Sequence, residues 1–127
     1  ETVTLIKTIN RQNFGITFEP ANLMACGSEF NKNALNQLLP HTENFYFQNI
    51  ILDKKGNHVF PTIHNGDVRV KYVSLENAKG INVFSLLDFL KEKKYDKWFT
   101  IHQPLFEDQK VEIAIENASK LFLQYKF

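Results

Sequence analysis

The chain contains 127 residues, a length at which a single globular domain (residues 1–127) with one hydrophobic core is expected. Hydrophobic residues make up 43% of it and charged residues 23%, values near the globular average that argue against a disordered chain. The formal net charge of +1 provides no long-range field to attract phosphates, so bulk charge gives no support to nucleic-acid binding, although one basic face remains an alternative.

The aromatic and cysteine contents add expectations about the core, a partner surface and the location of the protein. Twelve Phe, four Tyr and one Trp predict a core dominated by Phe, and any exposed Phe patch would mark a surface for a partner. The single cysteine, Cys26, excludes an intrachain disulfide and favours an intracellular location. No apolar run reaches the roughly 20 residues of a membrane-spanning helix, and no signal peptide is recognised. Because the chain begins at Glu1, we expect it to be processed or part of a longer protein.

The N-terminal residues predict a β-hairpin. Residues 2–9 (TVTLIKTI) are rich in β-branched side chains, and residues 14–20 (FGITFEP) alternate apolar and polar positions. A turn at 11–13 would join the two strands.

The next segment is ambiguous and then helical. Residues 21–30 fit either a short helix or an irregular crossing. Leucines at helical spacing predict a short helix near 33–39, with Asn31 or Asn33 as its N-cap and Pro40 after its end.

Residues 42–52 (TENFYFQNIIL) contain a hexapeptide, 43–48, that resembles the peptide cut by potyviral processing proteases. Its place in mid-chain and its alternation of apolar and polar side chains favour a piece of the fold instead. We predict a central strand with Phe45 and Phe47 in the core.

Two turn signals extend this strand into a sheet. Residues 53–57 (DKKGN) are typical of a turn, and the Asn-Gly pair at 65–66 is typical of a two-residue hairpin loop. Together with the alternating residues that flank them, they predict a three-stranded antiparallel meander over 45–75.

The C-terminal half predicts one helix and a second hairpin. Residues 82–94 carry a leucine stripe at helical spacing with Asn82 as N-cap, residues 98–104 are extended or irregular, and residues 110–127 alternate like a hairpin. The expected fold is therefore α+β: a mainly antiparallel sheet of about six to eight strands, built from a meander and hairpins, with one principal helix near 82–94 and a short helix near 33–39.

No group of residues assembles recognisable catalytic chemistry. His58 and His64 with Asp67 nearby could ligate a metal only if the chain bent between them, because six residues of strand span about 20 Å. Cys26 and His41 lack the context of an activated thiol. The sequence thus predicts no catalytic residue, no metal site and no cofactor, and it favours a protein that is not an enzyme.

Basic residues with aromatic rings between them offer a nucleic-acid surface, in which lysines contact phosphates and a ring stacks on a base. Lysine is also common at helix C-termini for electrostatic reasons, and that structural explanation is favoured. The candidate binding residues are Lys54, Lys55, Arg69, Lys71, Lys94, Tyr95, Lys97 and Trp98.

Residues 81–99 (INVFSLLDFLKEKKYDKWF) resemble the helix-loop-Trp segment of KilA-N or antirepressor-type DNA-binding domains of phages and large viruses. In that family a leucine-rich helix precedes a Lys/Tyr/Trp element. The resemblance implies a phage or viral origin and a nucleic-acid partner. After Trp98 the sequence continues FTIHQ, where the family pattern would have basic residues.

The leading hypothesis is a non-enzymatic binding or assembly module that engages a protein, itself or another chain, through an aromatic-rich sheet face or an edge strand. Nucleic-acid binding is the first alternative, and an enzyme with a His-based site is the second. The terminal hairpin is the expected contact edge. Its interface residues are Leu121, Phe122, Leu123, Tyr125 and Phe127.

Overall fold

The protein contains two small sheets in place of one antiparallel meander. A computed structural model describes residues 1–28, 31–106 and 109–125, and within these ranges the strands form one parallel and one antiparallel sheet of three strands each. The α+β class is confirmed, whereas the predicted mainly antiparallel sheet is wrong. The described α-helices are α1 (Thr2–Ile9), α2 (Pro20–Ala25), α3 (Lys32–Leu38), α4 (Val83–Glu92) and α5 (Val111–Leu123), and a short 3-10 helix (Leu39–His41) follows α3. The described strands are β1 (Ile16–Phe18), β2 (Thr42–Phe47), β3 (Ile50–Leu52), β4 (His58–Thr62), β5 (Gly66–Tyr72) and β6 (Trp98–Ile101).

The parallel sheet has the strand order β1–β2–β6, with β2 at its centre. Asn44 of β2 pairs with Thr17 on one side and with Trp98 on the other. Helices α2 and α3 connect β1 to β2, whereas the antiparallel sheet and α4 connect β2 to β6. Parallel neighbours need such long connections because the chain must return to the same end of the sheet before it can pair.

One face of the parallel sheet forms the core. Phe45 and Phe47 of β2 are each 1% exposed, which confirms the predicted central strand and its buried rings. Phe18 packs edge-on against Phe45 with ring centroids 5.2 Å apart, and Phe122 of α5 packs against Phe47 at 4.9 Å. The same cluster contains the buried leucines of α4, which are Leu86, Leu87 and Leu90.

The predicted N-terminal hairpin is wrong, because residues 2–9 form helix α1. Buried Ile6 and half-buried Val3 and Ile9 recur every three residues, which is a helical period. Asn10 ends the helix in the left-handed conformation (φ 47°) and donates its backbone N–H to the Ile6 carbonyl. β-Branched residues favour strands only where a neighbouring strand packs against them, and none does here within the described residues.

The predicted C-terminal hairpin is also wrong, because residues 111–123 form helix α5. Val111, Ile113 and Ile115 alternate like a strand, yet they are 51%, 48% and 61% exposed, so their alternation does not define a buried face. The side chains that pack follow helical spacing instead. They are Ala114, Ala118, Leu121 and Phe122.

The antiparallel sheet has the order β3–β5–β4, so the predicted meander is wrong in its membership and its order. β4 and β5 do form a hairpin around the Asn-Gly pair, with Thr62 opposite Gly66. Gly66 has φ 64°, the left-handed region that glycine adopts without steric cost. The strand predicted over 45–52 splits at residues 48–49: β2 joins the parallel sheet and β3 the antiparallel one.

Asn49 connects the two sheets at this split. Its fully buried amide donates to three carbonyl oxygens of the segment 74–77, at 2.9 to 3.3 Å, and its Oδ1 accepts the backbone N–H of Ile81 at 2.7 Å. Gly80 lies so close that a Cβ atom there would stand 2.1 Å from this Oδ1. The buried amide therefore replaces backbone pairing where the chain passes from one sheet to the other.

The two predicted helices are present with their caps. Asn31 Oδ1 accepts the N–H of Ala34 at 2.9 Å ahead of α3, and Asn82 Oδ1 accepts that of Ser85 at 3.0 Å ahead of α4. In the ambiguous segment, α2 covers residues up to 25, and residues 29 and 30 lie outside the described ranges. Of the helices in those ranges, none is long and apolar enough to cross a membrane.

Candidate functional site

Three polar side chains meet where the strands of the parallel sheet end. β1 is followed by Glu19, β2 by Gln48 and β6 by His102. Because the strands are parallel, their carboxyl ends lie at one edge of the sheet, which is the edge where α/β proteins place ligands and catalytic groups. This edge is the candidate functional site.

The carboxylate of Glu19 is the centre of the site. Its Oε1 accepts hydrogen bonds from Gln48 Nε2 and from His102 Nδ1, the latter at 3.0 Å. Its Oε2 accepts a hydrogen bond from Asn22 Nδ2 at 2.7 Å, one turn into α2. We call these four residues the Glu19 cluster. Three donors from three segments therefore converge on one acidic side chain that is only 11% exposed.

His102 is the accessible member of the Glu19 cluster. A carboxylate only accepts hydrogen bonds, so Nδ1 of His102 donates in this contact, and in the tautomer protonated at Nδ1 the ring presents Nε2 as an acceptor. The side chain is 58% exposed, and the ring stands edge-on to Tyr46 with centroids 5.3 Å apart. An imidazole oriented by a buried carboxylate can accept a hydrogen bond, or a proton, from a hydroxyl group brought to its open side.

Tyr72 of β5 brings the antiparallel sheet to the same region. Burial raises the pKa of the Tyr72 hydroxyl above its ordinary value of 10.0, and the negative charge of Glu19 raises it further. Its ring packs edge-on against His58, with centroids 4.6 Å apart. Tyr72 therefore offers a hydroxyl, able to donate or accept, within electrostatic range of Glu19.

The cluster continues a polar face of the parallel sheet. Asn44 of β2 and Thr100 of β6, diagonal neighbours on adjacent strands, exchange side-chain hydrogen bonds of 3.0 and 3.2 Å. Toward the cluster the same face carries Tyr46 and then Gln48, while Thr17 of β1 is exposed. This face is the opposite one from Phe45 and Phe47, so strand alternation separates the polar site from the core.

The basic residues predicted to bind nucleic acid divide into two groups. Lys54 and Lys55 are exposed on the turn before β4, and Arg69 and Lys71 are exposed on β5. Arg69 donates to the Gly56 carbonyl at 3.1 Å, so part of its hydrogen-bonding capacity is used inside the protein. This group lies beyond the carboxyl end of β2, in the antiparallel sheet.

The second group lies at the opposite end of the parallel sheet, ahead of β6. Lys94 is exposed in the left-handed conformation (φ 53°) after α4, and Lys97 forms an ion pair with Glu43 at 2.6 Å. Tyr95 is buried, whereas Trp98 is 75% exposed. The eight predicted residues therefore share no single surface, and their binding role stays a prediction.

The predicted interface edge falls on α5 and beyond. Leu121 is buried, Phe122 packs on Phe47, Leu123 is 72% exposed and Tyr125 is half-buried. Phe127 lies outside the described residues.

His58 and His64, the histidines considered from the sequence as metal ligands, lie at different places in the β4–β5 hairpin. His58 opens β4, and His64 lies in the β4–β5 turn beside Asp67. Among the described residues no group of three or more His, Cys, Asp or Glu side chains could hold a metal ion. Cys26 is exposed and unbridged.

The sequence contains a pattern that indicates the Glu19 cluster, but the pattern has this meaning only if the strands are parallel, whereas the sequence analysis predicts antiparallel strands. Each strand of the parallel sheet ends in a triplet whose first and last residues are apolar and which a polar residue follows directly: ITF before Glu19, FYF before Gln48 and FTI before His102. In an antiparallel sheet such residues would alternate between opposite edges. Only in a parallel sheet do they share one edge, so the signal depends on the pairing.

Comparisons with known proteins show a shared fold and no assigned family. No family model matches the sequence, and no curated protein matches it. A solved crystal structure of a xylose isomerase domain protein from Planctomyces limnophilus is similar, with a TM-score of 0.63 and 21% sequence identity. The match covers 97% of this chain and 40% of that one, so this chain spans less than half the length of the protein it resembles.

Proposed function

We propose that the chain contributes a binding site for a small polyhydroxylated molecule, of the sugar or polyol class, at the carboxyl edge of its parallel sheet. The observation that carries this proposal is the convergence of Asn22, Gln48 and His102 on the Glu19 carboxylate. Such a network holds the His102 ring in one orientation while the side chain stays 58% exposed to solvent.

The groups around the Glu19 cluster suit a ligand rich in hydroxyls. A hydroxyl both donates and accepts, so it can donate to His102 Nε2 and exchange hydrogen bonds with the Tyr72 phenol. Tyr46 adds an aromatic ring beside the imidazole, which can pack against the C–H groups of a sugar ring. The similar crystal structure belongs to a xylose isomerase domain protein, which supports the same ligand class.

The test is a titration with D-xylose and with xylitol, followed by the NMR resonances of the His102 ring. We expect these resonances to shift in a saturable manner at millimolar ligand. Glu19→Gln removes the charge that orients the ring and should weaken binding about ten- to hundredfold, since a hydrogen bond to a charged group contributes about 1.5–3 kcal/mol.

His64→Gln is the matched control, because His64 lies in an exposed turn outside the Glu19 cluster. It should bind like the native chain. Unshifted His102 resonances with both ligands, or equal losses in Glu19→Gln and His64→Gln, would contradict the proposal.

Assembly with another polypeptide is the second candidate, and the open edges of the parallel sheet favour it. In the described residues β1 and β6 each pair with β2 alone, which leaves one unpaired edge on either side. Trp98 is 75% exposed at the start of the β6 edge. Sedimentation velocity over a range of concentrations tests this candidate: self-association is expected, and a monomer at every concentration would count against it.

A further inference from the structure

The Asn-Gly pair at 65–66 carries a reactivity that the β4–β5 turn does not need. Asn65 is the only asparagine in the chain that a glycine follows, and both residues are exposed. Gly66 has φ 64°, and a Cβ atom added there would meet no described atom within 4 Å. A side chain that would hinder the Gly66 backbone nitrogen as it approaches the Asn65 side chain is therefore absent, and the space it would fill is open.

The Asn65 side chain also forms a contact between the β4–β5 hairpin and the end of α2. Asn65 Nδ2 donates to the carbonyl oxygen of Cys26, the C-cap of α2, at 2.8 Å. Gly27 lies so close that a Cβ atom there would stand 2.8 Å from the same nitrogen. The contact depends on a donor at this position, because a backbone carbonyl oxygen can only accept a hydrogen bond.

We propose that Asn65 is a site of spontaneous deamidation, and that its conversion to aspartate releases the β4–β5 hairpin from the end of α2. The backbone nitrogen of Gly66 attacks Cγ of Asn65 and forms a C–N bond, which closes a succinimide ring. Nδ2 leaves as ammonia and takes the proton that the Gly66 nitrogen gives up. Water then adds to either carbonyl carbon of the ring and opens it to aspartate or isoaspartate. The sum is the uptake of water and the loss of ammonia, without oxidation or reduction.

Both products lose the contact with Cys26. In aspartate a carboxylate oxygen takes the place of Nδ2, so the Cys26 carbonyl faces a charged acceptor and no proton lies between the two oxygens. In isoaspartate the main chain runs through the former side chain, and the added methylene group disturbs the pairing of Thr62 with Gly66. The modification is independent of the proposed sugar site, because its chemistry uses none of the residues of the Glu19 cluster.

The first experiment incubates the native protein at physiological temperature and mildly alkaline pH, which favours the deprotonated backbone nitrogen. Peptide mass spectrometry and labelling by isoaspartyl methyltransferase locate the products. Asn57 is the internal control, because it is exposed just before β4 but is followed by His58, whose side chain hinders ring closure. Asn65 should lose its amide before Asn57, and Asn65→Gln should stay intact because its ring would be larger. Equal rates at Asn65 and Asn57, or conversion of Asn65 in urea-unfolded protein alone, would overturn the proposal.

The second experiment tests the release of the hairpin by hydrogen exchange. The backbone N–H groups of Cys26, Gly27 and Ser28 donate to carbonyl oxygens of α2. In Asn65→Asp these amides should exchange about fivefold faster, the factor for the loss of one hydrogen bond of about 1 kcal/mol, and the deamidated native protein should match this variant. Asn57→Asp makes the same change of charge in another exposed segment and should exchange like the native protein. Unchanged exchange of the three amides in Asn65→Asp would refute the release.

Discussion

The two faces of the parallel sheet differ in what they do, although they are built from the same three strands. On one face Phe18, Phe45 and Phe47 are packed by helices and nearly inaccessible. On the other, Asn44 and its neighbours form side-chain hydrogen bonds that lead to the Glu19 cluster. Strand alternation thus allows one short segment to stabilise the fold and to supply a polar site, because successive side chains point in opposite directions.

The largest expected effect tests the apolar face against the polar one at adjacent positions. Phe45→Ala should lower the free energy of unfolding by about 3–5 kcal/mol, since it removes a fully buried ring and leaves a cavity. Tyr46→Ala, one residue later on the half-buried polar face, should lower it by about 1 kcal/mol. Urea unfolding followed by circular dichroism measures both values. Similar losses for the two variants would mean that the faces do not differ as described.

A second comparison sets a buried amide against a half-buried one. Asn49→Ala should cost about 3 kcal/mol, because it leaves three carbonyl oxygens and one N–H without their partner where the two sheets meet. Asn44→Ala removes only its exchange with Thr100 and should cost about 1 kcal/mol. The same unfolding measurement applies. An Asn49 variant no less stable than the Asn44 variant would refute the role of Asn49 in joining the sheets.

The smallest expected effect is a dependence of the protein's stability on pH, caused by Tyr95 at the end of the apolar face. Burial, with the charges of Glu43 and Asp96, raises the pKa of Tyr95 to about 12, above its ordinary value of 10.0. The unfolded chain loses this proton first, so the stabilisation is complete below pH 10 and is lost as the pH rises through 12. Urea midpoints across this window should fall, and Tyr95→Phe should fall less steeply. Parallel slopes for both proteins would exclude Tyr95 as the cause.

Elements set by neighbouring residues could be predicted from the sequence, and the pairing between distant segments could not. The caps at Asn31 and Asn82 and the turn at Gly66 each depend on atoms within a few residues, so their local chemistry decides them. The pairing of β1 with β2 and of β2 with β6 joins segments far apart in the sequence, which no local pattern specifies. The Glu19 cluster exists only through that pairing, so the local sequence does not mark its members as site residues.

Helices α1 and α5 show why a pattern can mislead. Residues 2–9 carry β-branched side chains and residues 111–115 alternate strictly, yet both segments are helical. β-Propensity reflects packing against a neighbouring strand. In the described structure α5 meets the core through residues at helical spacing, and the less exposed residues of α1 follow the same helical period. Whether such residues form a strand or a helix depends on the segment against which they pack, and that segment lies elsewhere in the sequence.

The sequence by itself determined the α+β composition, the central strand with its buried Phe45 and Phe47, and the helices after Asn31 and Asn82. Only the tertiary structure decided that the central strand has parallel neighbours, that the chain changes sheets at Asn49, and that Glu19, Gln48 and His102 share one edge. The physical reason is the distance along the sequence over which each interaction acts. Caps, turns and hydrophobic alternation act over a few residues, whereas parallel pairing depends on how distant segments pack together.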